Sequence, residues 1–399
     1  MANILLITPF YKIEGRDDIV KDTEAVHYLV KYWNKTDNVY VIYIYVRKLR
    51  EITKLFNKKQ LKWYVDGYDY NTDGVDVTLI ERFNLLPGRI IWNIGLNHLN
   101  GLPFQKYRIL KKIKSKLKEK NFVPDKILVH FPLAVKFFIN DLDYDCEKIA
   151  VLHMSDLKRL DKEGDKFIKY LNKAYSRIYC RSKAIYNKFN EGNKLLNLKE
   201  DIIYSGISND EYFEKKFKDG KRNLKFLYVG KLTKRKNLDV LIKALAKFDK
   251  NDWSLEVIGD GVMKEQYIEL VDSLKLNDNV AFLGRMPKDE VYNHMRLADV
   301  FCMVSVDETF GLVYLEAMSN GCITIATKRE GIDGVIINNE NGYLIEPNVS
   351  ALTDAIKGIF DAKKDELNNI SKKAVSTAKY YSEENASKMY YDNIFKDND

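Results

Sequence analysis

The chain has 399 residues, 46% of them hydrophobic and 31% charged. That is an ordinary globular composition, and it is too long for one core, which stops growing near ~250–300 residues. No apolar run approaches the ~18 residues of a membrane helix, and four dispersed cysteines, Cys146, Cys180, Cys302 and Cys322, form no CxxC pair, which argues against a disulfide framework or a cysteine zinc site. The net charge of +8 is unevenly placed: residues 1–205 carry 37 basic against 25 acidic side chains, a net +12, and the remainder 28 against 32, a net −4. A basic half suggests a polyanionic partner, either nucleic acid or an acidic membrane face.

The opening Ala2–Pro9 has no basic flank and too short an apolar run for a secretion signal, so it reads as a first buried strand of a cytoplasmic protein. Further continuous apolar, β-branched runs follow at Val39–Val46, Val75–Ile80, Lys126–His130, Lys148–His153 and Ile178–Arg181. After Ser205-Gly206 the pattern restarts at Lys225–Gly230, Ser254–Gly259, Val280–Leu283, Val300–Val304 and Ile323–Thr327, with helical stretches between. Such runs fit parallel strands covered on both faces. The expected class is α/β, with two Rossmann-like doubly wound domains facing across a central cleft where the carboxyl ends of the strands open. The boundary falls at 204/205, Ser205–Gly220 reads as a linker, and a helix over 381–399 is expected to pack back onto the first domain.

Three stretches carry chemistry. After the strand at Val300–Val304, the loop Ser305–Phe310 leads to Gly311, which opens an apolar helix through Glu316. Amides at that helix start can bind an anion, and Glu316, inside the helix, can accept two hydrogen bonds from a diol. Glu308 stands on the loop ahead of it; a pair of solvent-facing glutamates is the plainer alternative. In Tyr228–Asn237, Lys231 and Lys236 can converge across a loop on a doubly charged group such as diphosphate, unless both are simply solvated. Val257–Gly261 puts glycines at a strand end, where a backbone can approach a nucleotide, although the third glycine of a dinucleotide fingerprint is missing.

In order and spacing, these stretches resemble the retaining nucleotide-sugar glycosyltransferases of glycosyltransferase family 4, which have the two-Rossmann GT-B fold. The resemblance is most specific over Leu224–Pro347: Val-Gly-Lys-Leu…Lys-Asn, Ile-Gly-Asp-Gly, Phe282-Leu283-Gly284, Ala298-Asp299-Val300, Glu308 and Glu316 with seven residues between them, Glu316-Ala317-Met318…Gly321, and Asn341-Gly342-Tyr343-Leu344. It implies that Lys231 and Lys236 hold the donor diphosphate, Lys231 standing where the family more often has Arg. It gives Glu316 the ribose, Glu308 the sugar hydroxyls, the backbone of Thr309, Phe310, Gly311 and Leu312 the sugar and phosphate, and Arg285 and Met286 the edge of the base. His153, at a strand terminus where open sheets place ligand contacts, matches the family histidine near the sugar C6 hydroxyl and the reacting carbon. The paired-glycine loop after the first strand is reduced to Gly15, followed by Arg16. His130 and His294 read as ordinary structural histidines.

Two metal-like motifs read as structural. Asp141-Leu142-Asp143-Tyr144-Asp145 precedes a buried strand as a polar loop. Asp69–Gly74 starts like a calcium loop, but Glu81 falls one residue past the required position, so it reads as a turn. The reaction is expected to be independent of metal and of any cofactor beyond the nucleotide sugar, UDP- or GDP-linked, because Lys231, Lys236 and a helix start can neutralise diphosphate. Residues 105–120 form a basic helix, read either as a packed helix with a cationic outer face or as a peripheral contact with an anionic membrane. No nucleic-acid module accompanies it.

The resulting expectation is a retaining hexosyltransferase. It moves a sugar from a nucleoside diphosphate to the hydroxyl of a glycan, glycolipid or other acceptor in polysaccharide, glycolipid or glycoconjugate assembly, in the cytoplasm or on the inner face of the plasma membrane. The alternatives are an epimerase or hydrolase of the same fold and a non-catalytic polyanion binder.

Overall fold

A computed structural model describes residues 1–13, 26–48, 67–84, 103–191, 195–208, 211–218 and 223–396. Contacts divide the chain into two units. The first comprises Met1–Cys180, Lys188–Ile203 and Ser387–Asp399, and the second comprises Arg181–Asn187 and Tyr204–Ala386.

The first unit is built on strands β1 (Asn3–Thr8), β2 (Asn38–Lys48), β3 (Tyr68–Thr72), β4 (Val75–Asn84), β5 (Lys126–His130), β6 (Glu147–Leu152), β7 (Arg177–Cys180) and β8 (Leu198–Ile202), in the order β3-β4-β2-β1-β5-β6-β7-β8. Ile4–Ile7 and Ile127–Val129 have no exposed surface, because helices cover both faces of a parallel sheet. The strand order reverses at β1, which pairs with β2 on one side and β5 on the other. At such a reversal the crossover helices go to opposite faces and leave a crevice at the carboxyl ends.

Asp69–Gly74 departs from the expected turn. Most of it is β3, antiparallel to β4, joined by the two-residue turn Asp73-Gly74 with positive φ at both positions. An Asp-Gly pair favours this hairpin turn, and the metal-like spacing of the acidic residues is a by-product of strand alternation. Asp141–Asp145 behaves as expected, with all three aspartates exposed ahead of β6.

The second unit has strands β9 (Leu224–Val229), β10 (Trp253–Ile258), β11 (Val280–Gly284), β12 (Val300–Cys302), β13 (Ile323–Thr327) and β14 (Tyr343–Ile345), in the order β11-β10-β9-β12-β13-β14, all parallel. Its reversal lies between β10 and β12, on either side of β9, so the loops after β9 and β12 share one end of the sheet.

The described part of the expected linker is not a free tether. The amides of Phe213, Lys215 and Phe217 donate to Ser319 O, Ser371 Oγ and Asn368 Oδ1, which ties 211–217 into the second unit. The helix Glu383–Phe395 begins in the second unit and ends in the first. There Trp33 Nε1 donates to Ser387 O at 3.0 Å and Tyr179 donates to Asn393 O at 2.8 Å.

Candidate functional site

Two loops meet at the reversal point of the second sheet. The β9 loop runs through a 3₁₀ turn, Lys234–Lys236, to Asn237, a left-handed residue whose side chain donates to Val304 O at 2.8 Å. Val306 N donates back to Arg235 O at 2.8 Å. This zipper sets Lys236, 8% exposed, against Glu308 in a salt bridge, and Arg235 Nη1 lies 3.5 Å from the same carboxylate. Lys236 and Glu308 thus come together, whereas Lys231, expected to converge with Lys236, is exposed and forms no ion pair among the described residues. Arg235 is the second cation at the carboxylate. The sequence reading passed over it because four basic residues within six positions do not say which ones point inward.

The loop after Glu308 is held from behind. Glu308 N donates to Glu330 Oε2 at 2.8 Å, and a Cβ on Gly331 would stand 2.4 Å from Phe310 N, so only glycine lets that backbone lie so close. The Phe310 side chain is buried beside Tyr204 and belongs to the core. Gly311, with φ +85°, caps the helix Leu312–Ser319, and Tyr314 anchors the first turn by donating to Met303 O at 2.7 Å. Among the described residues, the amides of Thr309, Phe310, Gly311 and Leu312 donate to no other group. Unsatisfied amides at a helix start form an anion cradle.

Glu316 is the one charged residue on this apolar helix. Burial raises its pKa, opposed by Lys288, whose Nζ lies 3.4 Å away, and by a hydrogen bond from Tyr292. Lys288 and Tyr292 lie on the helix Lys288–Leu297, just after Gly284-Arg285-Met286. Arg285 is exposed, and Met286 is half-buried against the core. Lys288 and Tyr292 carry no motif of their own and were invisible in the sequence. The glycines of Val257–Gly261 have a nearer purpose than the nucleotide approach read from sequence: added Cβ atoms would sit 1.9 Å from Gly230 O and 2.2 Å from Leu232 O, so Gly259 and Gly261 let two loops touch.

In the first unit, His153 follows β6 as the N-cap of the helix Met154–Glu163, and its amide donates to Asp156 Oδ2 at 2.8 Å. Its Nε2 lies 3.1 Å from Nδ1 of His130, which is fully buried and is therefore part of the histidine's own hydrogen-bond system rather than an unrelated core residue. His294 is ordinary, held by Glu256 at 2.7 Å on the surface. Gly15 lies outside the described residues. Among the described residues no group of three or more His, Cys, Asp or Glu side chains could hold a metal ion.

The second unit thus places open amides, a cation pair and a half-buried glutamate at the reversal point of a Rossmann-like sheet. Residues 208–377 match the model of the glycosyl transferases group 1 family. The chain is similar to an uncharacterized glycosyltransferase of Methanocaldococcus jannaschii, 32% identical over 50% of this chain and 54% of that protein. It is also similar to N-acetyl-alpha-D-glucosaminyl L-malate synthase of Bacillus anthracis, 30% identical over 40% of this chain and 44% of that one. The matches thus span about half the length of these curated relatives. Among solved structures, HepE of Anabaena in complex with UDP superposes with a TM-score of 0.67 over 99% of each chain at 17% identity, which shows the GT-B fold.

Proposed function

We propose that the chain is a retaining glycosyltransferase that moves a hexose-type sugar from a nucleoside diphosphate to an acceptor hydroxyl. The carrying observation is that Lys236, Arg235, Glu308, the open amides of Thr309–Leu312 and Glu316 stand on two adjoining loops, and the helix one of them opens, at one end of the sheet. In this reading the cradle and Lys236 take the diphosphate, with Lys231 reaching it from solvent. Glu316 takes the ribose, Arg285 and Met286 edge the base, and Glu308 and His153 bind the sugar. The acceptor oxygen bonds to the anomeric carbon on the face from which the diphosphate leaves, and the acceptor proton passes to a diphosphate oxygen. Catalysis then rests on orientation and on stabilising leaving-group charge. Cationic side chains and amides supply that charge, so no divalent metal is required. The UDP complex of the structurally similar HepE supports a uridine donor. Nucleotide release from UDP- and GDP-sugars in excess EDTA, with the product anomer read by NMR, tests the proposal. Inverted product, or release abolished by EDTA and restored by magnesium, would refute it.

The acceptor reading rests on the helix Pro103–Glu119. Its inner stripe, Ile109, Ile113 and Leu117, is buried, while Tyr107, Arg108, Lys111, Lys114 and Lys118 are exposed together. Lys116 and Lys120 are neutralised by Asp69 and Asp76. The remaining stripe suits an anionic bilayer carrying a lipid-linked acceptor. No described helix is long and apolar enough to cross a membrane.

A further inference from the structure

His130 ends β5 with no exposed surface, and both its ring nitrogens are engaged: Nδ1 with His153 Nε2 at 3.1 Å, and Nε2 with the Tyr390 hydroxyl at 2.6 Å. Tyr390 is 1% exposed and comes from the helix Glu383–Phe395, 260 positions along the chain from His130. Each nitrogen of a neutral imidazole is either donor or acceptor, and the two roles are opposite. If the phenol donates to Nε2, His130 carries its proton on Nδ1 and donates to Nε2 of His153. If the phenol accepts, both rings reverse. The phenol and His153 therefore share one proton arrangement through His130, and the capping box with Asp156 ties the His153 end of it to the helix. On the other side of His153 the Phe131 ring stacks at 3.5 Å and 15°. Phe131 is held at φ 56°, ψ 64°, a conformation an aromatic residue rarely adopts. His153 is thus fixed by stacking on one side and by a two-step hydrogen-bond chain on the other.

We propose that Tyr390 is a positioning residue for His153, acting through His130, so that the helix returning from the second unit holds the His153 ring and its proton arrangement in place. The proposal rests on the reading of His153 as a sugar contact. Tyr390→Phe is the direct test, because it keeps the ring and its edge-on packing against Trp33 at 4.9 Å and removes only the hydroxyl. Tyr391→Phe is the matched control: the same helix loses a hydroxyl bonded to Asp37 instead. Tyr390→Phe is expected to lower kcat for nucleotide-sugar turnover roughly 5- to 15-fold, the scale of one hydrogen bond, with the donor KM within about twofold. Tyr391→Phe is expected to change neither. In protein labelled with 15N-histidine, the imidazole nitrogen shifts of His130 and His153 should move in Tyr390→Phe alone. Unchanged shifts or unchanged kcat in Tyr390→Phe overturns the proposal, as does an equal loss in both variants, which would mark helix docking as the cause. If the parent protein turns over no nucleotide sugar, the transferase reading fails, and the nitrogen shifts still decide whether Tyr390 orients His153.

Discussion

Asp156 offers a test of how the His153 helix is held. The residue is fully buried, Oδ2 accepts the His153 amide at 2.8 Å, and Oδ1 makes no hydrogen bond of normal geometry among the described residues. Burial pushes its pKa from 3.8 up to about 7, with the His153 and Leu133 amides opposing. Because the folded state favours the protonated acid, its contribution is complete below the unfolded value and is lost as pH rises from about 4 to about 7. At about 1.36 kcal/mol per pH unit the loss reaches about 4 kcal/mol at most. For a unit of roughly 200 residues that corresponds to roughly 8–16 °C in Tm. Asp156→Asn retains the acceptor for His153 and does not ionise. Its new amide donor lacks a partner, a penalty of about 1–3 kcal/mol that does not vary with pH and so drops out of the slope. Thermal melts of parent and variant from pH 4 to pH 8.5 should show the difference, variant minus parent, growing by that amount. A difference that stays constant within about 2 °C would refute an uncompensated buried carboxyl at this position.

Lys236→Ala should lower kcat/KM for nucleotide release about a hundredfold, the scale of a charge-assisted contact plus a displaced Glu308, while Arg235→Ala, longer and more exposed, should cost less than about fivefold; equal losses would contradict the geometry. Glu316→Gln should chiefly weaken calorimetric binding of free nucleoside diphosphate, and Glu308→Gln should chiefly lower kcat. Burial already holds Glu316 above the usual carboxylate range and Lys288 opposes it, so as pH falls, nucleotide affinity in Lys288→Met should decline at a higher pH than in the parent. Reversing Lys111, Lys114 and Lys118 to Glu should abolish co-sedimentation with anionic vesicles and leave nucleotide binding intact; vesicle binding that survives the reversal would return the helix to a structural role.

Both sheets were legible because buried parallel strands leave continuous apolar runs, and the Glu308–Glu316 segment was legible because loop, glycine and helix are adjacent in sequence. What escaped was chemistry that depends on contacts between distant positions. His130 resembled any strand-end histidine until Tyr390 and His153 were brought to its two nitrogens. Lys288 and Tyr292 acquire meaning only through the fold that sets their helix beside Glu316. Glu330 and Gly331 buttress Glu308 and Phe310 from the loop after β13, and no local pattern announces a carboxylate that accepts from a backbone amide 22 residues away. In Asp69–Gly74 the turn before Val75 was legible, at Asp73-Gly74, but the strand ahead of it was not, because Tyr68–Thr72 is mostly polar and leaves no apolar run.

The return of the chain to its first sheet also imposes an order on synthesis. Trp33, Tyr179 and His130 all bond to residues 387–393, yet the whole second unit is translated in between. Burial of Tyr390 and Ile394, essentially complete in the finished protein, stabilises by about 1.5–3 kcal/mol per side chain, and none of it is available while the nascent chain is shorter. The unit that leaves the ribosome first is therefore completed last, and its histidine pair acquires its phenol only after the second sheet has been made.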